Sequence, residues 1–171
     1  MSASSGSAGD RLHMAVAALS IWLTVTSPWL AMLRRIPAGA GWLDWSHVVT
    51  GLAALALAAA YAWTCVRHER RRLYFPWRPP QSTAVARDVA GLLRGRLPAA
   101  EGGGLIGLIE GLLVLALLAT GLTGLGWLLA QGGEQALGWR AAHIGCARAF
   151  MVLLVAHVVT VAFHLLDFVR D

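Results

Sequence analysis

The chain has 171 residues, of which 57% are hydrophobic and only 13% are charged, and its mean hydropathy is +0.62. A soluble domain carries about 25% charged residues, so this composition excludes an ordinary soluble protein and predicts a helical membrane protein. All fourteen basic residues are arginine, and the net charge is +5. The arginines cluster between apolar stretches, which fits membrane topology rather than nucleic-acid binding. We therefore expect no nucleic-acid partner.

Four apolar stretches are long enough to cross a bilayer. They cover about 12–33, 47–66, 104–130 and 143–169, and each reaches the roughly 20 residues that a spanning helix needs. Inside a bilayer the backbone must satisfy its own hydrogen bonds, so each span is predicted as a helix. The polar residues 1–10 are predicted as a disordered tail. Residues 11–171 then form one all-α integral membrane domain, a four-helix bundle of antiparallel up-and-down spans.

The arginines predict the orientation of these spans. Eight of them lie between Arg67 and Glu101, whereas the other two loops together hold three. Cytoplasmic loops are rich in basic residues, so the loop 67–103 and both termini are predicted to be cytoplasmic. Within this loop, residues 82–98 have an N-cap candidate and apolar residues at helical spacing. They are predicted either as a short amphipathic helix at the membrane surface or as an irregular solvated loop.

Four histidines fall at two depths in this topology. His143 and His157 are fourteen residues apart in the fourth span, which separates them by roughly 21 Å along a helix and by only some 40° around it. On the predicted orientation His143 lies near the outer surface and His157 near the inner one. His47 begins the second span at the outer side, and His13 begins the first span at the inner side. The sequence therefore predicts an outer pair, His47 with His143, and an inner pair, His13 with His157.

One imidazole pair in each leaflet is typical of haem ligation. A b-type haem iron takes two axial histidines from opposite sides of its ring, and in helix bundles these often come from facing helices. Imidazole also binds zinc, copper and nickel, so a transition-metal path is one alternative. Interfacial or interhelical histidines that only form hydrogen bonds are another. We expect two haems in the bundle core.

The same residues resemble the prokaryotic four-helix di-haem cytochromes b, over about Arg11–Phe168. That family includes the cytochrome b subunits of membrane-bound nickel–iron hydrogenases and formate dehydrogenases, and the stand-alone bacterial cytochrome b561. One histidine opens its first span, one opens its second, and two stand fourteen residues apart in its fourth. The stretches HVVTG and LLATG, which end at Gly51 and Gly121, are similar to patterns of its second and third spans.

The resemblance implies a bacterial inner-membrane protein that carries electrons through two b haems. An extracytoplasmic dehydrogenase or hydrogenase module, connected through an iron–sulfur or cytochrome subunit, would be the partner at the outer haem. Quinone would be the mobile substrate at the cytoplasmic side. The long cytoplasmic loop resembles the hydrogenase and formate dehydrogenase branch and favours a partnered subunit. Two other classes stay open: a stand-alone quinone-linked oxidoreductase, active without a partner, and a purely structural membrane anchor.

Further residues are candidates for contacts with these cofactors. Glu110, about two turns inside the third span, and His164 are candidates for a quinone or proton site, because a carboxylate at that depth is costly unless it is paired or hydrated. The alternatives are a glutamate that faces a partner helix or snorkels, and an ordinary interfacial histidine. Arg11 and Arg148 are candidates for pairing with haem propionates, since a guanidinium binds a carboxylate through two hydrogen bonds. Arg148 has a snorkelling alternative. Gly51, one turn from His47, either makes room for the porphyrin or packs closely against a helix.

Overall fold

The computed structural model describes residues 3–67, 81–96, 98 and 103–170. These residues contain no strand, and four of their helices are long and apolar enough to cross a membrane. The prediction of an all-α membrane protein with four spanning helices is therefore confirmed. The helices are α1 (Ala3–Thr26), α2 (Trp42–Arg67), α3 (Gln81–Leu92), α4 (Gly104–Ala130) and α5 (Ala136–Arg170), with a short 3-10 turn, Ser27–Trp29, after α1.

The helix ends differ from the predicted spans everywhere except in α4. α1 begins at Ala3, inside the predicted tail, and ends at Thr26 rather than near residue 33. It ends there because Pro28 has no amide hydrogen for the next helical bond, and the Ser27 hydroxyl donates to the Thr24 carbonyl instead (3.0 Å). α2 and α5 begin before the apolar runs do, since polar first turns can continue a helix beyond the membrane interior.

The chain divides into two compact units, the first formed by the residues up to Thr64 with Leu117–Arg148 and the second by Cys65–Ala116 with the chain from Ala149 onward. In the first unit, the loop between α1 and α2 meets the turn between α4 and α5. The Gly132 amide donates to the Arg34 carbonyl (2.8 Å), and the Ile36 amide donates to Gln131 Oε1 (3.4 Å). Because these two connections meet, α1 and α4 end on the side where α2 and α5 begin.

Small residues set the spacing of the helices in the first unit. A Cβ added to Gly121 would lie 2.8 Å from a carbon of Leu55, and one added to Gly126 would lie 2.5 Å from the Trp139 ring. The backbone of α4 therefore approaches α2 and α5 closely. Lipid tails are as apolar as leucine, so membrane helices associate through such close packing rather than through the hydrophobic effect.

In the second unit, α3 is attached to the start of α4 by a carboxylate. The Leu105 amide donates to Asp88 Oδ2 (2.9 Å), so Asp88 caps one of the amides that a helix start leaves without a partner. Gly104 has φ +58°, and a Cβ there would collide with the same carboxylate. The irregular-loop alternative is wrong for residues 81–92, where the structure has a helix.

Replacement of Asp88 by alanine should detach α3 from the start of α4. Loss of a capping carboxylate costs about 1 kcal/mol, so hydrogen exchange at the Leu105 amide and along α3 should become faster. Asp88→Asn is the matched control, because its amide oxygen can accept the same bond and should keep most of the protection. Equal exchange rates in the wild type and the alanine variant would contradict the capping role.

Candidate functional site

His47 and His143 face each other in the first unit. His47 lies in the second turn of α2, His143 lies in the second or third turn of α5, and both are half-buried. Their ring centroids are 6.4 Å apart, and the ring planes are perpendicular, at 89°. The structure thus brings together the two residues of the predicted outer pair.

A hydrogen bond fixes the tautomer of His143. Its Nδ1 is 2.8 Å from the carbonyl oxygen of Thr120 on α4. A carbonyl oxygen can only accept, so Nδ1 carries the hydrogen and donates it. In the neutral ring Nε2 is then the nitrogen with the free lone pair. Orientation of a ligating histidine by a backbone carbonyl through its other nitrogen is a recurrent second-shell arrangement in metal sites.

Two glycines shape the space around the pair. A Cβ on Gly124 would lie 3.1 Å from both Cε1 and Nδ1 of His143, so the missing side chain lets the imidazole approach the α4 backbone. A Cβ on Gly51 would meet only Leu23 Cδ2, at 4.0 Å. Among the described residues, a side chain at Gly51 would thus make no more than an ordinary contact with α1.

The loop between α1 and α2 is held against the helix ends by three side chains. Asp44 is buried in the first turn of α2 and accepts hydrogen bonds from the amides of Ala31 (3.0 Å) and Gly41 (3.3 Å). Trp127 Nε1 donates to the Leu33 carbonyl (3.0 Å), and Arg140 Nε donates to the Met32 carbonyl (3.2 Å). The loop is therefore fixed at the ends of the helices that carry His47 and His143.

The predicted inner histidines belong to different units. In the first unit His13 is exposed on α1, and its ring lies beside Tyr61 of α2, with centroids 5.8 Å apart. In the second unit His157 is half-buried on α5, and its Nδ1 atom is buried without a hydrogen-bond partner among the described residues. Each residue lies on the helix that the sequence predicts, and their pairing stays a prediction.

The other candidate residues are spread over three helices. Glu110 is half-buried on α4, and Arg11 is exposed on α1. His164 lies within α5, but its side chain is outside the described part of the structure. Arg148 is exposed on α5, five residues after His143, which turns it by roughly 140° away from that residue. The geometry thus gives no support to Arg148 as a propionate partner at the outer pair.

Sequence reasoning missed Asp44, Thr120 and Gly124. An aspartate one turn before a predicted ligand, in a Trp-Leu-Asp-Trp stretch, was a detectable signal for Asp44, since aspartate favours helix starts. No sequence signal identifies the carbonyl of Thr120, because every residue has one. The sequence does not distinguish Gly124 from the other glycines of α4, and only the structure shows that it faces His143.

Fold and site together define an all-α, multi-pass membrane protein with a pair of facing imidazoles in its helical part. The family model described as prokaryotic cytochrome b561 matches residues 10–167, and the chain belongs to this family. Searches of curated proteins and of solved structures found no match. The family binds haem b and transfers electrons across the membrane. The chain is therefore a membrane cytochrome that binds haem b.

The outer pair fits a haem. The two imidazoles face each other with ring centroids 6.4 Å apart, and the bond to Thr120 leaves Nε2 of His143 as the nitrogen that could bind a haem iron. His47 Nδ1 is buried with no hydrogen-bond partner in the described residues, and a buried polar atom of this kind needs a ligand or water. The same residues contain no cluster of three or more His, Cys, Asp or Glu side chains, which a tetrahedral metal site would need.

The close approach of Gly124 to His143 yields a specific test. Gly124→Val should push the imidazole away from the Thr120 carbonyl and change the spectrum and midpoint potential of one haem while sparing any other. Gly138→Val is the control, because nothing lies within 4 Å of a Cβ at that position. Low-temperature difference spectra and redox titrations of both purified variants measure the haem spectra and midpoint potentials. Spectra and potentials in Gly124→Val that match the wild type would show that His143 does not depend on this contact.

Proposed function

We propose that this cytochrome carries electrons between an extracytoplasmic redox subunit and the quinone pool through two b haems. His47 and His143 would hold the outer haem, and His13 and His157 the inner one. The observation that carries the proposal is the facing pair of imidazoles, His47 and His143, with the tautomer of one ring fixed by a backbone carbonyl. When bound, haem iron accepts and releases one electron at a time.

The protein's own part at the outer site is to hold and orient two rings. Thr120 orients His143, and the absence of a side chain at Gly124 lets the ring reach that carbonyl. Asp44, Trp127 and Arg140 hold the outer loop in place through backbone groups that would otherwise need water. Such groups raise the rigidity of a site and limit its contact with solvent.

Three observations support a second haem at the inner pair. His157 lies fourteen residues after His143 on one continuous helix, and hence on nearly the same face. Its buried Nδ1 has no partner in the part of the chain that the structure describes. The His13 ring lies beside α2 rather than pointing away from it. Intramembrane histidines are costly unless they serve a ligand or a hydrogen-bond network.

The arginine distribution supports an orientation with both termini in the cytoplasm, and the prokaryotic family supports a location in the bacterial inner membrane. On this orientation the outer pair is reached from outside the cell membrane, where a dehydrogenase or hydrogenase module would deliver electrons through an iron–sulfur or cytochrome subunit. The Arg-rich segment 67–103, which includes α3, would then lie at the cytoplasmic surface, beside membrane lipid.

Glu110 and His164 are the proposed quinone and proton site. A quinone that takes up two electrons also takes up two protons, so a titratable group near it is chemically required. Glu110 lies six residues after the start of α4, roughly 9 Å along its axis, and is half-buried there. The proposed role of Glu110 is to pass a proton to a quinone oxygen, and His164 would assist from α5.

Ligand replacement tests the haem assignment. A pyridine haemochromogen assay should give two haems per chain in the wild type. His47→Ala and His143→Ala should each lose the same spectral component, and His13→Ala and His157→Ala should each lose the other. A stable chain with one haem or none would overturn the proposal, and a colourless protein would identify a structural anchor.

Variants of the proposed quinone site should slow quinone reduction without changing haem binding. Glu110→Gln keeps the shape of the side chain but cannot exchange a proton, so quinone-reductase turnover should fall while both haem spectra stay intact. His164→Ala should have the same effect more weakly. Ser82→Ala, at the start of α3, is a control outside the site. Unchanged turnover in both site variants would place the quinone elsewhere.

A further inference from the structure

A charged side chain precedes each histidine of the outer pair by one helical turn. Asp44 stands three residues before His47 on α2, and Arg140 stands three residues before His143 on α5. Residues three apart are neighbours on a helix surface, with Cβ atoms about 5–6 Å apart. The outer pair is therefore flanked by one negative and one positive charge, each on a helix that carries one of the two imidazoles.

Both charges are withdrawn from solvent and hold the same loop. Asp44 is only 6% exposed, and its two carboxylate oxygens accept hydrogen bonds from the amides of Ala31 and Gly41. Arg140 is half-buried, and its Nε donates to the carbonyl of Met32, the residue next to Ala31. Water and salt screen buried charges much less than exposed ones. Asp44 and Arg140 therefore act on the outer pair more strongly than surface charges would.

The remaining charged residues of the two connections are exposed: Arg34, Arg35 and Glu134. The first unit also contains an exposed counterpart of Asp44, because Asp10 stands three residues before His13 on α1. Solvent screens charges in such positions. The spacing from aspartate to histidine is thus the same on α1 and α2, and burial is what distinguishes Asp44 from Asp10.

The two buried charges have opposite effects on a haem at the outer pair. Reduction by one electron makes a haem more negative by one unit of charge, so a nearby carboxylate disfavours the reduced form and a nearby guanidinium favours it. We infer that Asp44 lowers, and Arg140 raises, the midpoint potential of the outer haem held by His47 and His143. The effect of Asp44 is the larger one, because Asp44 is the more buried of the two. The inference rests on the proposed function, since it takes a haem at the outer pair.

The net result is a lower potential at the outer haem. At the inner pair, the aspartate in the corresponding position, Asp10, is screened by solvent. A lower potential at the outer haem relative to the inner one makes electron transfer from the outer to the inner haem more favourable. The burial of Asp44 thus contributes to the direction of electron flow that the proposed function requires.

The test is a redox titration of the purified full-length cytochrome, in which the outer haem is the spectral component that His47→Ala removes. Asp44→Asn keeps an oxygen that can accept a backbone amide but removes the charge. It should raise the equilibrium constant for reduction of the outer haem at least about threefold, an upward shift of about 28 mV at about 59 mV per tenfold change. Arg140→Gln should shift the potential downward by a smaller amount, and Arg140→Lys, which keeps the charge, should retain the wild-type potential. Asp10→Asn is the matched control and should leave both potentials unchanged.

The opposite signs separate a charge effect from a structural one. A loop that merely loses its anchors would admit water, which stabilises the more highly charged oxidised haem and lowers the potential in both variants. Shifts in the same direction, an unchanged potential in Asp44→Asn or Arg140→Gln, or a shift in Asp10→Asn as large as that in Asp44→Asn would overturn the inference. Hydrogen exchange at the Ala31 amide reports the loop independently of haem, and its protection should persist in Asp44→Asn.

The haem content separates this inference from the proposed function. A wild type that lacks the outer haem overturns the proposed function and the inference with it. Variants that keep two haems per chain and show unchanged potentials overturn the inference alone.

Discussion

The hydrogen bond from His143 Nδ1 to the Thr120 carbonyl is the interaction on which the outer site depends. An imidazole inside a bilayer has two nitrogens to satisfy and no water to satisfy them. The Thr120 carbonyl accepts the hydrogen bond from Nδ1, and Nε2 is then the nitrogen that could bind a metal. The carbonyl can do so in mid-helix because a carbonyl oxygen has two lone pairs, so Thr120 can accept a bond from His143 besides the helical bond from the amide four residues later.

This bond in turn requires close helices. The sequence TGLTG on α4 combines the carbonyl of Thr120 with the missing side chain of Gly124, so that the ring of His143 can lie against the backbone. Gly121 does the same for Leu55 on α2. In water such contacts would be one contribution among many, but between membrane helices they are a large part of what holds the helices together. Glycines of α4 therefore serve two purposes: Gly121 lets α2 approach, and Gly124 lets His143 reach the Thr120 carbonyl.

Hydropathy alone predicts which segments cross the membrane, and the fourteen-residue spacing predicts which histidines share a face of α5. Helix ends are not predictable in this way, because an apolar run marks the membrane interior and not the hydrogen-bonded helix. α2 thus begins at Trp42 and places His47 inside a helix rather than at its start. The roles of Asp44 and Thr120 depend on distances between segments far apart in sequence. The spacing of five residues already turns Arg148 away from His143, whereas its charge alone suggests a haem propionate as its partner.

α5 carries one histidine of the facing pair, His143, and a second histidine, His157, whose buried Nδ1 has no hydrogen-bond partner among the described residues. Anything that binds the folded chain and not the unfolded one stabilises it. Haem b held by His143 would thus add to the stability of α5, and the bond from Nδ1 to the Thr120 carbonyl keeps this imidazole oriented before the cofactor binds.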